Sequence, residues 1–210
     1  MKHEFINELS ALFGDNFIGP AQVNTLLSTM NLAQLNESDI PELTYSFDFL
    51  KSKARDYLLV MGYGGTPGSP LSILAFRDAF GIDPDKREPC LYNQDWYLAE
   101  DFVNRTLENR WYLIKRQVIE SSRAISPSDL IEKSIRFPSA ILCTYSFFAC
   151  YLAYGQYLWY HDFVWCSDLD HNGDRIYVGK YHDVDGVNKN GFSIHRHLAL
   201  RPCYAAVSIE

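Results

Sequence analysis

Apolar positions change their spacing along the chain. Phe5, Leu9, Leu12 and Phe13 recur at helical intervals. Gly14 and Asp15 interrupt them, and Val23, Leu26, Leu27 and Met30 resume the same spacing behind Pro20. Two amphipathic helices are therefore expected within residues 1–35, and such stripes need an apolar partner surface. After the polar break Asn36–Asp39, Pro41 suits a first helical position, and Leu43, Phe47, Leu50, Ala54 and Leu58 predict a third helix. Tyr45, Phe47 and Phe49 also alternate there, but helix is the favoured reading. An apolar run and a Gly/Pro loop lead into a helix-like stretch ending at Gly81. Asp95 stands as cap before a helical face of Trp96, Ala99, Phe102, Val103 and Leu107, and WYLIKRQVI (111–119) reads as a strand. Ser126 before Pro127 marks another helix start, and a further helix is expected from about Pro138. The last fifty residues differ: FVWCSDLDHNGDRIYVGKY and GFSIHRHLALRPCYAAVSI are short strand-like segments separated by an Asp/Asn loop.

The predicted class is α+β. Residues 1–40 form a helical N-terminal extension on an α+β domain, 41–210, whose C-terminal part, 162–210, is an antiparallel sheet. With 47% apolar and 21% charged residues, the chain can bury a substantial core. Its 14 Tyr, 13 Phe and 4 Trp supply large buried area with polar tips, which suits both a core and a binding surface. A net charge of −7 opposes a phosphate-backbone partner, so nucleic acid is excluded. The uncharged stretch Phe137–Tyr160 is long enough to span a bilayer, yet its five Tyr, a Gln, two Ser and a Thr read as a buried helix, so no membrane association is expected. Five cysteines without CxxC spacing, together with an amphipathic N-terminus, point to free thiols and a cytoplasmic setting.

Residues 90–210 carry a resemblance. The segments DWYLAEDFVNRTL, WYLIKR, VWCSD, RIYVGKYHDVDG and LALRPCYAAV are similar to the helix, W-x-L strand, W-S/T strand and closing strand of C-type-lectin-like domains, in the bacterial form of sulfatase-modifying and formylglycine-generating proteins. The resemblance implies that fold and a recognition surface. It implies neither calcium-dependent sugar binding nor cysteine oxidation, because the Glu-Pro-Asn and Trp-Asn-Asp motifs and the paired active-site cysteines have no counterpart.

Candidate chemistry clusters at the C-terminal end, with five of the six histidines. Asp168, Asp170, Asn172 and Asp174 alternate around Gly173 as oxygen ligands do in a calcium loop, with Asp168, Asp170 and Asn172 as its core. Position 179 is Gly, where an EF-hand closes with Glu, and a polar hairpin loop is the favoured reading. His195 and His197 share a strand face and, with His182, Asp183 or His161, match the donor types of a zinc-like site, the second place for a divalent metal. Cys166 facing His161 or His195 would give a thiolate–imidazolium pair. No nucleophile motif or dinucleotide loop is present, since the glycines at 62, 64, 65 and 68 miss the required spacing. The leading expectation is non-catalytic recognition of a protein or a saccharide-like ligand by Asp168, Asp170, Asn172, Asp174, His182, Asp183, His195 and His197. One alternative is a metal- or cysteine-assisted hydrolase or modifying enzyme using Cys166, His182, His195 and His197. The other is a structural subunit of a homo-oligomer.

Overall fold

The computed structural model describes residues 2–180, 191–196 and 200–210. His182, Asp183 and His197 lie outside them. The α+β class is observed. Among the described residues two larger sheets, joined by the C-terminal tail, share one buried helix, and a third is a small two-stranded ribbon.

The N-terminal pattern folds as its spacing dictates. Helix α1 (Lys2–Phe13) and α2 (Pro20–Thr29) flank the short strand β1 (Phe17–Ile18). Pro20 opens α2 at its first position, and the Gln22 side chain accepts the Gly19 N–H at 3.1 Å, closing one end of the helix. Leu9, Phe13, Phe17, Val23, Leu26 and Leu27 are all buried in the main core, so the stripes of both N-terminal helices pack against the rest of the protein.

The third expected helix is shorter than its pattern. α3 covers only Phe47–Lys53, with Ser46 Oγ accepting from Phe49 N–H, and Pro41 is not helical. Leu58 belongs instead to strand β2 (Tyr57–Met61). Tertiary pairing decides this: β2 lies parallel to β1 and antiparallel to β5 (Trp111–Lys115), with Leu59 opposite Phe17 on one side and Leu113 on the other. A central strand buried on both faces needs a continuous apolar run, which YLLVM supplies. The glycine-rich segment forms a small ribbon, β3 (Gly65–Thr66) with β4 (Ser69–Pro70), and then α4 (Ile73–Phe80). The expected helix after Asp95 is two 3₁₀ turns, Trp96–Ala99 and Asp101–Asn104, in which Asp95 makes no side-chain cap.

Ser126 caps α5 (Pro127–Glu132) as predicted, with Pro127 at its first position. Helix α6 (Ala140–Tyr154) is the hub. Ser139 Oγ accepts from Leu142 N–H, Gly155 ends it in the left-handed conformation, and every residue from Ala140 to Cys150 is buried. A helix apolar all round must be enclosed on all sides. Phe147 and Phe148 pack with Phe76, Phe80 and Phe192, and Tyr145 donates to the Met61 carbonyl at 3.1 Å. Among the described residues no helix is long and apolar enough to cross a membrane.

The C-terminal sheet has the order β8–β7–β6–β9, from β6 (Phe163–Leu169), β7 (Arg175–Gly179), β8 (Ser193–His195) and β9 (Tyr204–Ala205). It is mixed rather than antiparallel, because β9 runs parallel to β6. Beyond β9 the chain continues to the first sheet: Ala206 bridges to Ile119 and Ile209 to Ile114. Side chains alternate across a strand. Val164, Cys166, Ile176, Val178 and Ile194 therefore enter the main core, while Phe163, Trp165, Tyr177 and Tyr204 form a separate aromatic cluster on the other face.

Candidate functional site

That outer face is built by register. Trp165 pairs across to Tyr177, and Tyr177 to His195, so three large rings stand in one row over three strands. Phe163 and Tyr204 make the adjoining row, since they too are register partners. Neighbouring side chains on one sheet face lie close enough for ring contact. Tyr177 stacks on His195 with centroids 5.2 Å apart and planes 19° apart, and Phe163 meets both edge-on. Leu130 and Phe137, from α5 and the segment after it, cover the Trp165 end. The other end opens into a cavity of about 550 Å³, a volume within the range of small-ligand sites.

Phe163, Tyr177 and Tyr204 supply the aromatic lining, with Tyr92, His195, Ser193 and the turn Arg201–Cys203 around them. Tyr92 arrives from outside the sheet. Its N–H donates to the Phe192 carbonyl at 2.8 Å, and the Leu91 segment lies so close to Gly191 that an added Cβ would sit 2.4 Å from Leu91 backbone carbon. Only glycine admits that approach. The Arg201–Cys203 turn is fixed by Tyr204 N–H on the Arg201 carbonyl, Phe163 N–H on the Cys203 carbonyl and Arg123 on the Pro202 carbonyl. Arg123 is held in turn by Asp162 at 2.6 Å.

Burial lowers His195 to about 4, so its imidazole is neutral near pH 7. The Gln94 side-chain amide lies 3.2 Å from His195 Nδ1 and holds the imidazole in place. Burial, and after it the neighbouring Tyr204, raise the Tyr177 hydroxyl well above the ordinary phenol value, so it remains a protonated donor.

The Asp168–Asp174 segment makes the polar hairpin turn between antiparallel β6 and β7, as the favoured reading has it. Asp168 is 2% exposed and turned inward: one oxygen accepts from Ala140 N–H at the start of α6 at 2.6 Å, the other from Arg105 at 2.7 Å. A carboxylate there complements the positive end of the helix. Asp170 Oδ1 accepts from Asn172 and Asp174 N–H, and its other oxygen from Arg196 at 2.7 Å. Burial works to raise the Asp170 carboxyl, but the Asp174 N–H, Arg196 and the Asn172 N–H outweigh it and hold the group below the usual carboxylate range. Gly173, at φ +85°, makes the turn. The carboxylate oxygens of Asp168 and Asp170 are thus taken by the Ala140 N–H, by the loop's own N–H groups and by Arg105 and Arg196, not held free for a cation.

Glu100, Asp170 and His171 do converge, their donor atoms lying within 4.8 Å of one another. Arg196 already provides the cation, 2.7 Å from Asp170 and 3.4 Å from Glu100, with its guanidinium 4.6 Å from the Trp96 ring centre. Glu100 accepts both the His171 N–H, at 2.9 Å, and contact from its Nδ1, at 2.6 Å. This is a latch tying the β6–β7 loop to the 3₁₀ turns.

Cys166 is fully buried on the inner face beside Cys143, and burial, followed by Cys143, pushes its thiol well up. It stands across the sheet from His195, so the thiolate–imidazolium pair is not formed. A protonated thiol sealed in the core is inert. His161 packs on Tyr160 and donates its backbone N–H to Lys180, away from the His195 row. Of the predicted residues, His195 alone among those described lines the aromatic cavity. Tyr92, Gln94 and Arg201 were not singled out from sequence, while the alternation of Phe163 with Trp165 was a readable signal for the shared face.

No family model, no curated protein and no solved structure matches this chain.

Proposed function

We propose that the protein is a non-catalytic recognition protein whose C-terminal sheet receives a small saccharide-like ligand in the aromatic cavity. The observation that carries this reading is the cavity itself: about 550 Å³, floored by Phe163, Tyr177 and Tyr204 with a neutral imidazole beside them. Flat rings stack on the C–H faces of pyranose sugars, while hydroxyl and imidazole tips give directional hydrogen bonds. The C-type-lectin-like resemblance belongs to this proposal, with recognition through aromatic side chains in place of calcium. The inert, buried Cys166 speaks against cysteine chemistry, and the buried free thiols fit a reducing setting such as the cytoplasm.

Labelled protein on a glycan array, followed by calorimetry of the soluble hits, tests the proposal. Tyr92, at 36% exposed, can be truncated without opening the core. Tyr92→Ala should weaken binding about tenfold, the loss of one ring contact, with unchanged unfolding. An array without hits, or hits indifferent to Tyr92→Ala, Arg201→Gln and His195→Gln alike, would remove the cavity from the function.

A further inference from the structure

We infer that the cavity selects anions: its ligand is a compact molecule with a flat apolar face and a carboxylate, the carboxylate being taken by Arg201 at the mouth. This rests on the cavity being the binding site.

The charge inventory leads there. Among the described lining residues Arg201 carries the one full charge at neutral pH, and none is Asp or Glu. His195 adds no charge to the lining, and its amide neighbour Gln94 adds none either. The protein as a whole is rich in acid, with 26 Asp and Glu against 19 Lys and Arg, and its arginines commonly find carboxylates. Arg77 pairs with Asp95, Arg105 with Asp168, Arg123 with Asp162 and Glu120, and Arg196 with Asp170 and Glu100. Arg201 forms no ion pair among the described residues. Asp162, close enough to act on Cys203, is held by Arg123 instead.

Geometry gives that charge a use. Arg201 projects from a turn whose backbone is pinned at three points, to Tyr204, Phe163 and Arg123, so the origin of its side chain is fixed beside the ring floor. An arginine fork presents two parallel N–H donors to a carboxylate. The remaining lining is rings, a neutral imidazole and the Ser193 hydroxyl, which donates to Gly191. A ligand seated in the cavity therefore meets a single strong polar demand, and it is for an anion. Both a uronic acid and an aromatic acid have this chemistry.

Calorimetry with two matched pairs separates the sources: D-glucuronate against D-glucose, and 4-hydroxyphenylacetate against its alcohol, 4-hydroxyphenylethanol. In at least one pair the acid should bind about fivefold or more tightly than its neutral partner at low salt, with the preference shrinking as salt rises. The pair that shows it identifies the source. Arg201→Gln, an exposed substitution, should abolish the preference by bringing the acid's affinity down to that of its neutral partner. Acid and alcohol binding equally, or a preference that survives Arg201→Gln, would overturn the anion inference and leave the cavity reading standing. Binding by none of the four compounds would sink both.

Discussion

The two faces of the C-terminal sheet are made by the same strands and differ in kind. The inner face is aliphatic and thiol-bearing: Val164, Cys166, Ile176, Val178 and Ile194 are each 0% exposed against the main core. The outer face alternates with it and is aromatic, carrying Phe163, Trp165, Tyr177, His195 and Tyr204, all but His195 buried, with Leu130 and Phe137 in the same cluster and a cavity beside Phe163, Tyr177 and Tyr204. One face of a strand pair can thus be given entirely to cohesion while its neighbours, one residue along, hold polar tips at an opening. Stability and recognition are separated by side-chain parity rather than by domain. A one-residue slip would exchange them.

The largest expected effect tests the inner face. Ile194→Ala should cost about 2–5 kcal/mol in urea unfolding, because a sealed, close-packed site relaxes poorly around a lost side chain. A cost below about 1 kcal/mol, the range of ordinary surface changes, would mean that the inner face is not the cohesive one.

Next in size is the pH response of the outer face. His195 is held to about 4 by burial, against roughly 6.5 when unfolded. A basic group lowered in this way is neutral in both states above pH 6.5 and contributes nothing there. As pH falls through the window between 6.5 and 4, the unfolded chain takes up the proton first, so stability declines. Between pH 7 and pH 5 the decline from this residue should be about 1–2 kcal/mol. Unfolding curves of His195→Gln should lack that increment while other titrations continue. An unchanged slope would place His195 in water and dissolve the contrast between the faces.

Parity was legible in the sequence because alternation in FVWC and RIYVG needs no tertiary knowledge. The N-terminal stripes, the WYLIK strand, the Ser126 helix start and the helix expected from about Pro138 were legible for the same local reason. What was not legible depended on partners distant in the chain. Leu58 reads as helix until β1 and β5 are known to flank it. Asp168 and Asp170 read as ligands until Ala140 and Arg196, remote in sequence, are seen to take their oxygens. Tyr92 comes from an irregular segment whose position is set by one glycine, Gly191, about a hundred residues later. Arg201 was visible as a residue, but its setting was not, since a mouth charge has meaning only beside a floor.

The smallest expected effect is the most discriminating. Tyr177 sits at the crossing of both rows, touching Trp165, His195, Phe163 and Tyr204. Tyr177→Phe keeps the ring and every stacking contact while removing one hydroxyl, which interacts with Tyr204. If the outer face serves recognition, stability should fall by only about 0.5–1.5 kcal/mol, the net worth of one hydrogen bond, because the released partner faces a cavity that water can enter. Were the outer face a sealed second core, the orphaned Tyr204 hydroxyl would carry a full desolvation penalty, and the loss would approach that of Ile194→Ala. Urea unfolding of the two variants side by side therefore tells an open aromatic platform from a closed aromatic core, and equal losses would deny the sheet its working face.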